Sequence, residues 1–198
     1  DGVVYVSASR AVPVGRIEDL LSERADFLLN AAERLRERDG RNDIDDTVRW
    51  LGREYPIRII QGARETALTE QGECRVFTRH GDDSEYVGRL IRQALAERFR
   101  EVCCELNAEV RRALSAEGLE PPPTRITIKD MKSRWGSCSY TRGHISINFR
   151  LAAYPRETVL SVFWHEYAHY WHHNHSARFY AFVYRFFPEY EKWNGLLK

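Results

Sequence analysis

The chain has 198 residues, of which 43% are hydrophobic and 12% aromatic, and its 30 Lys and Arg residues nearly balance its 29 Asp and Glu residues. This composition can supply a buried core, which excludes a chain that is disordered throughout. No window approaches 18 consecutive apolar residues, and the start of the sequence lacks a signal-peptide pattern, so we expect no membrane span and no membrane partner. Four cysteines without C-x-x-C spacing favour a reducing, cytoplasmic location.

The first 120 residues are predicted to form a strand and helix region that ends in one long helix. Alternating apolar and β-branched residues indicate a strand over residues 3–7, and three- and four-residue apolar spacing indicates a helix from Ile17 to Leu35. A further strand over residues 55–61 and a hairpin around Gln71-Gly72 follow. A helical pattern then runs from about residue 84 to residue 116.

Three consecutive prolines, residues 121–123, end the long helix and mark the best candidate boundary. We therefore divide the chain into residues 1–120 and residues 121–198, which we expect to pack together as one structural unit. Strand patterns over residues 124–129 and 144–149 flank a loop over residues 131–143. Helices are predicted to begin near Pro155, Ser176 and Pro188, so the fold class is α+β with a small sheet.

Charge is unevenly distributed between these two parts. Residues 121–198 hold 11 Lys and Arg against five Asp and Glu, whereas residues 1–120 hold 19 against 24. One interpretation is a solvated basic face. The other is an anionic ligand or a nucleic acid bound near the C-terminal segment.

The strongest chemical signal is the sequence His165-Glu166-Tyr167-Ala168-His169, an H-E-x-x-H pattern inside an apolar segment. On a helix, four residues return to within roughly 40° of the starting direction, so His165 and His169 face the same side. Two imidazoles in this arrangement can bind one zinc ion. Glu166 lies beside the pair, where it can act as general base on a zinc-activated water molecule.

A catalytic zinc ion needs a third protein ligand and one open position. We favour His175, which the chain can bring back if the helix ends near residues 171–173 and Asn174 adopts a left-handed turn. Glu189 and Glu191 are the alternatives. His172 and His173 are expected to be exposed or to support the ligands. The prediction is one zinc ion per chain.

Three segments in order make the sequence resemble the YgjP-like zinc-dependent metallopeptidases. They are residues 133–138 (SRWGSC), residues 145–151 (ISINFRL), and the H-E-x-x-H segment with Asn174-His175-Ser176 and Phe179; residues 187–190 (FPEY) also fit. The resemblance implies a compact zincin-like core with His175 as third ligand. SprT-like proteases are more loosely similar. The metzincin pattern fits poorly, because His172 replaces a glycine and the single methionine lies upstream.

These observations predict a zinc-dependent metallopeptidase that acts on a peptide or protein. Arg134, His144 and Tyr170 are candidates for binding substrate or stabilising the oxyanion. The strand over residues 144–149 could pair with an extended peptide. Two alternatives stay open: a metal-dependent nucleotide pyrophosphatase or phosphohydrolase, and a non-enzymatic, zinc-stabilised module that binds nucleic acid.

Overall fold

The computed structural model describes residues 13–15, 47–62, 66–70 and 72–198. Ile44–Lys198 form a compact unit of their own. Within the described residues the fold is α+β, with two small sheets and four α-helices. The strand and helix predicted over residues 3–7 and 17–35 lie outside the described residues.

The first sheet contains four strands in the order β1-β2-β4-β3. They are β1 (Thr47–Trp50), β2 (Arg53–Gln61), β3 (Thr66–Glu70) and β4 (Glu73–Thr78). The predicted hairpin is present as the antiparallel pair β3 and β4, with Gly72 at φ +82° in its turn, whereas β2 and β4 run parallel. The sequence did not predict β1. Leu51 and Gly52 join it to β2 with positive φ at both positions, as a tight hairpin turn requires.

A single long helix, α1 (Ser84–Ala116), follows the first sheet as predicted. Asp83 caps its N-terminus, because the Asp83 carboxylate accepts a hydrogen bond from Tyr86 N at 2.9 Å. The helix ends where Gly118 adopts φ +72° and Leu119 N donates back to Leu114 O. Apolar residues at three- and four-residue spacing form its buried stripe: Val87, Ile91, Leu95, Phe99, Cys103, Leu106, Val110 and Leu114.

The second sheet has the strand order β5-β7-β6, with β5 at Arg125–Lys129, β6 at Gly136–Ser139 and β7 at His144–Asn148. The central strand β7 runs parallel to β5 and antiparallel to β6. The expectation that β7 pairs with a peptide is therefore wrong, because both of its edges are already hydrogen-bonded. The sequence placed β6 within a loop, whereas the structure makes it an edge strand.

Three helices complete the chain: α2 (Arg156–Ala168), α3 (Ala177–Phe186) and α4 (Tyr190–Asn194). Most side chains of α2 are buried, which matches its nearly continuous apolar sequence. Pro155 precedes α2, and Ser176 occupies the N-cap position of α3. None of the helices in the described part of the chain is long and apolar enough to span a membrane.

Elements from before and after the three prolines share one hydrophobic core. Phe99 of α1 makes edge-to-face ring contacts with Trp50 of β1 at 6.3 Å and with Phe149 at 6.2 Å between centroids. Phe149 begins a short 3₁₀ turn that links β7 to α2. The shared core holds α2 beside the second sheet. The division of the chain at residue 120 stays a prediction.

Candidate metal centre and active site

A cavity of about 390 Å³ lies where α2 passes β6. It brings together residues from the loop before β6, from β6 itself, from the 3₁₀ turn after β6, from α2 and from the segment that follows α2. The lining residues are Arg134, Gly136, Ser137, Cys138, Tyr140, His165, Glu166, His169, His173 and His175. The predicted histidine and glutamate residues therefore share one cavity.

Three imidazoles converge in this cavity. One ligand atom from each of His165, His169 and His175 lies within 4.8 Å of the others. Their ring centroids are 4.8–5.1 Å apart, and the ring of fully buried Phe179 lies 4.8–4.9 Å from all three. Phe179, on the first turn of α3, thus packs against all three histidine rings.

The chain returns to the cluster differently from the sequence-based expectation. α2 ends at Ala168, three residues or more before the predicted end, and His169 is its C-cap with φ −64°. Among the described residues outside glycine only Leu51 has a positive φ, so the predicted left-handed turn at Asn174 is wrong. Because the helix stops early, the longer segment from His169 to Ser176 can bring His175 back without such a turn.

Hydrogen bonds to the Nδ1 atoms orient two of the imidazoles. His169 Nδ1 lies 3.1 Å from the carbonyl oxygen of His172, which can only accept, so Nδ1 carries the proton and Nε2 keeps a free lone pair. His165 Nδ1 lies 2.9 Å from the Tyr190 hydroxyl. His165 Nε2 and His175 Nε2 face each other at 2.9 Å.

This donor set fits a metal ion. Burial, together with the electrostatic influence of the neighbouring His169 and His175, lowers the pKa of His165 to about 3. A neutral imidazole is the form that binds metals. Three converging imidazole nitrogen donors suit zinc and leave room for a further ligand.

Glu166 is buried beside the cluster, with 5% of its surface exposed. Burial raises the pKa of its carboxyl to about 8, and the positive charge of Arg134 opposes that rise. Among the described residues no salt bridge joins this carboxylate to a cation. A buried carboxyl at a cavity wall with a raised pKa is suited to proton transfer.

Of the three predicted oxyanion or substrate-binding candidates, only Arg134 lines the cavity. Its backbone carbonyl accepts a hydrogen bond from buried Asn148 Nδ2 at 2.7 Å, which holds the loop in place. His144 Nε2 instead lies 2.9 Å from Thr127 Oγ1 on the sheet. The hydroxyl of Tyr170 lies 3.0 Å from Thr124 Oγ1, outside the cavity lining.

The alternative third ligands lie elsewhere. Glu189 is bonded to Lys192 at 3.0 Å, and Glu191 accepts a hydrogen bond from Tyr184 at 2.6 Å. His172 contributes its carbonyl to His169, and the ring of His173 stacks on Tyr140 at 4.0 Å. Sequence reasoning assigned no role to Tyr140, and the stack could not be found from a pattern because it joins residues 33 positions apart.

Comparison with known proteins identifies the family of the chain. The profile of the family described as YgjP-like, metallopeptidase domain, matches residues 1–198. No curated protein matches the chain. A metallopeptidase family implies a hydrolase with a bound metal ion and a peptide or protein substrate, and gives no support to a nucleic acid ligand. The chain belongs to the YgjP-like metallopeptidase domain family.

Proposed function

We propose that this cavity binds one zinc ion through His165, His169 and His175 and hydrolyses peptide bonds, with Glu166 as general base. The observation that carries the proposal is the convergence of three imidazole nitrogens within 4.8 Å on the cavity that the buried carboxyl of Glu166 also lines. A bound zinc ion supplies Lewis-acid chemistry, which lowers the pKa of a coordinated water molecule towards about 7 and polarises a carbonyl group.

Glu166 moves the proton in this proposal. Its carboxylate accepts a proton from the attacking water molecule and then donates it to the leaving amine. The surroundings of Glu166 suit both proton-transfer steps, because burial raises the pKa of its carboxyl while the positive charge of Arg134 limits that rise. A pKa near the working pH allows one group to serve as base and then as acid.

β6 is the proposed peptide-binding edge. In the second sheet it pairs only with β7, so within the described residues its other edge has no strand partner. Gly136, Ser137 and Cys138 of this strand line the cavity. An extended peptide that adds to such an edge is aligned by main-chain hydrogen bonds. A peptide bound along this edge would have a scissile bond beside Glu166.

Arg134 is the proposed oxyanion donor. It lines the cavity, and the hydrogen bond from Asn148 to its carbonyl fixes the backbone from which its side chain extends. A guanidinium is always charged and offers several donors, so it can stabilise the negative charge that develops on a carbonyl oxygen. Loss of one such donor typically costs about 10²–10³ in turnover.

The test is a metal analysis of the purified protein together with a substrate screen. The wild type is expected to bind one zinc ion and to cleave peptides in an unfolded-protein pool, while nucleoside triphosphates offered in parallel remain intact. Glu166→Gln should retain zinc and lose about 10²–10⁴-fold in turnover. Glu157→Gln, in the first turn of α2 and outside the cavity, is the matched control and should retain full activity.

Two results would contradict the proposal. One is nucleotide hydrolysis with no peptide cleavage, which would assign the cavity to phosphoanhydrides. The other is peptide cleavage by Glu166→Gln at the wild-type rate with zinc still bound, which would remove Glu166 from proton transfer.

A further inference from the structure

We infer that Tyr190 is a positioning residue for the metal centre: its hydroxyl oxygen accepts the Nδ1 proton of His165 and so directs His165 Nε2 towards the metal ion. This inference rests on the proposed zinc centre. It gives a role to residues 187–190 (FPEY), a segment that the proposed chemistry does not otherwise use.

The geometry of the pair is that of an oriented hydrogen bond. The Tyr190 hydroxyl lies 2.9 Å from His165 Nδ1, and the two rings are nearly parallel, at 15° with centroids 6.3 Å apart. Tyr190 is 3% exposed, so water is not a ready substitute for the hydroxyl. A buried imidazole with one nitrogen bound in this way presents the other nitrogen in a fixed direction.

The chain places Tyr190 through a turn. α3 ends at Phe186, Phe187 follows as its C-cap, and Pro188 cannot continue the helical hydrogen bonds. Tyr190 N donates to Phe187 O at 3.0 Å and begins α4, which packs on α2. The short turn between α3 and α4 therefore brings the Tyr190 hydroxyl to His165.

His169, the C-cap residue of α2, has a matching arrangement. His169 Nδ1 donates to the carbonyl of His172, which leaves Nε2 as its metal-binding atom. With Tyr190 accepting from His165 Nδ1, His165 and His169 would both bind the metal ion through Nε2. His165 Nε2 then lies 2.9 Å from His175 Nε2, so the oriented nitrogen faces the third ligand across the centre.

The experiment compares Tyr190→Phe with Tyr184→Phe in the full chain. Tyr190→Phe keeps the aromatic ring and removes the hydroxyl that contacts His165. Tyr184→Phe removes a hydroxyl that donates to Glu191 at 2.6 Å, away from the cavity. Zinc affinity is measured by competition with a chromogenic chelator, and the melting temperature is measured on chelator-treated protein. We expect Tyr190→Phe to bind zinc about 10- to 100-fold more weakly, the usual effect of removing a ligand's hydrogen-bond partner.

Tyr184→Phe should bind zinc as the wild type does. Peptide cleavage by Tyr190→Phe should fall at limiting zinc and recover at saturating zinc, which a general loss of structure would not produce. Zinc affinity within twofold of the wild type would overturn the inference while leaving the proposed zinc centre in place. A wild-type protein that binds no zinc would overturn both.

Nuclear magnetic resonance of histidine-labelled, zinc-loaded wild type gives a second measurement that needs no substitution. The inference expects a slowly exchanging proton on His165 Nδ1, coupled to the imidazole whose Nε2 binds zinc. A proton on Nε2, with Nδ1 unprotonated, would overturn the assignment of Tyr190 as acceptor.

Discussion

The backbone of Gly136 lies directly against the side chain of Glu166. A methyl group at position 136 would overlap Glu166 Oε1 and lie 2.8 Å from both Glu166 Cγ and Val162 Cγ1. Only a residue without a side chain allows β6 to approach α2 this closely. Gly136 therefore fixes the distance between the proposed peptide-binding edge and the proposed general base.

Substitution of this glycine should damage both catalysis and stability. Gly136→Ala must displace either β6 or the Glu166 carboxylate, so we expect turnover to fall at least tenfold and unfolding free energy to fall by about 1–3 kcal/mol. Gly195→Ala is the control, because a methyl group there meets no atom within 4 Å. Cleavage assays and urea unfolding measure the two effects. Wild-type turnover by Gly136→Ala would show that the close approach has no catalytic role.

His175 should be required for zinc binding, whereas its neighbours should not. His175→Ala removes one of three converging nitrogens, so zinc affinity should fall by orders of magnitude. His172→Ala keeps the carbonyl that binds His169 Nδ1 and should have little effect. His173→Ala loses the stack on Tyr140 and the hydrogen bond that His173 Nδ1 donates to the backbone carbonyl of His169, but it keeps all three converging imidazoles. Titration with zinc against a competing chelator measures the zinc affinity of the three variants. Full zinc affinity in His175→Ala, together with a loss of affinity in Glu189→Ala, would assign the third ligand to Glu189.

The stability of chelator-treated protein should depend on pH through Glu166. Burial raises the pKa of this carboxyl from 4.5 to about 8 in the folded state. The folded state therefore holds the proton more tightly than the unfolded chain does. The contribution of the carboxyl to stability is full below pH 4.5 and is lost as the pH rises towards 8.

The matched comparison is wild type against Glu166→Gln, because all other titrating groups, including His165, are common to both. Wild-type unfolding free energy should fall relative to that of Glu166→Gln between pH 4.5 and pH 8. One pKa unit corresponds to about 1.4 kcal/mol, so a total of a few kcal/mol is expected. Urea unfolding across this range gives the difference. A difference that does not change with pH would contradict the raised pKa.

Thiol labelling should distinguish the four cysteines. Cys104 is exposed, whereas Cys74 and Cys103 are each 1% exposed. Burial raises the pKa of Cys74 to about 11 and those of Cys103 and Cys138 to about 12. Because the thiolate is the reactive form, one thiol per folded chain should react rapidly with a disulfide reagent at pH 8. Cys104→Ser should abolish that rapid phase, and a rapid phase that survives the substitution would contradict the assignment.

The sequence predicts elements whose cause is local. The apolar spacing of α1, its cap at Asp83 and the positive φ at Gly118 all follow from neighbouring residues, and the predicted and observed bounds agree. β6 has no such local cause. Its four residues are small, and they become a strand because Gly136 and Ser139 pair with Ile147 and His144 of β7. Tertiary pairing of this kind leaves little trace in composition.

The same distinction applies to the candidate site. Spacing of four residues on a helix was enough to predict that His165 and His169 face the same way, and the structure brings them together. Tyr190 lies 25 positions after His165, and its contact depends on the turn between α3 and α4. Neither the Tyr190 hydrogen bond nor the approach of Gly136 to Glu166 could be predicted from a repeating pattern, because both depend on how separate elements pack.

The two edges of the second sheet also bear on aggregation. An unpaired strand edge is a template for joining another chain, and proteins limit this hazard with short or charged edge strands. β5 carries a positive charge at each end, at Arg125 and Lys129, whereas β6 is only four residues long and contains a glycine, two serines and a cysteine. Repulsion between the positive charges of two copies therefore protects the β5 edge. The β6 edge, which has no strand partner among the described residues, is too short and too weakly strand-forming to hold a second copy, whereas the proposed peptide would gain further contacts in the cavity.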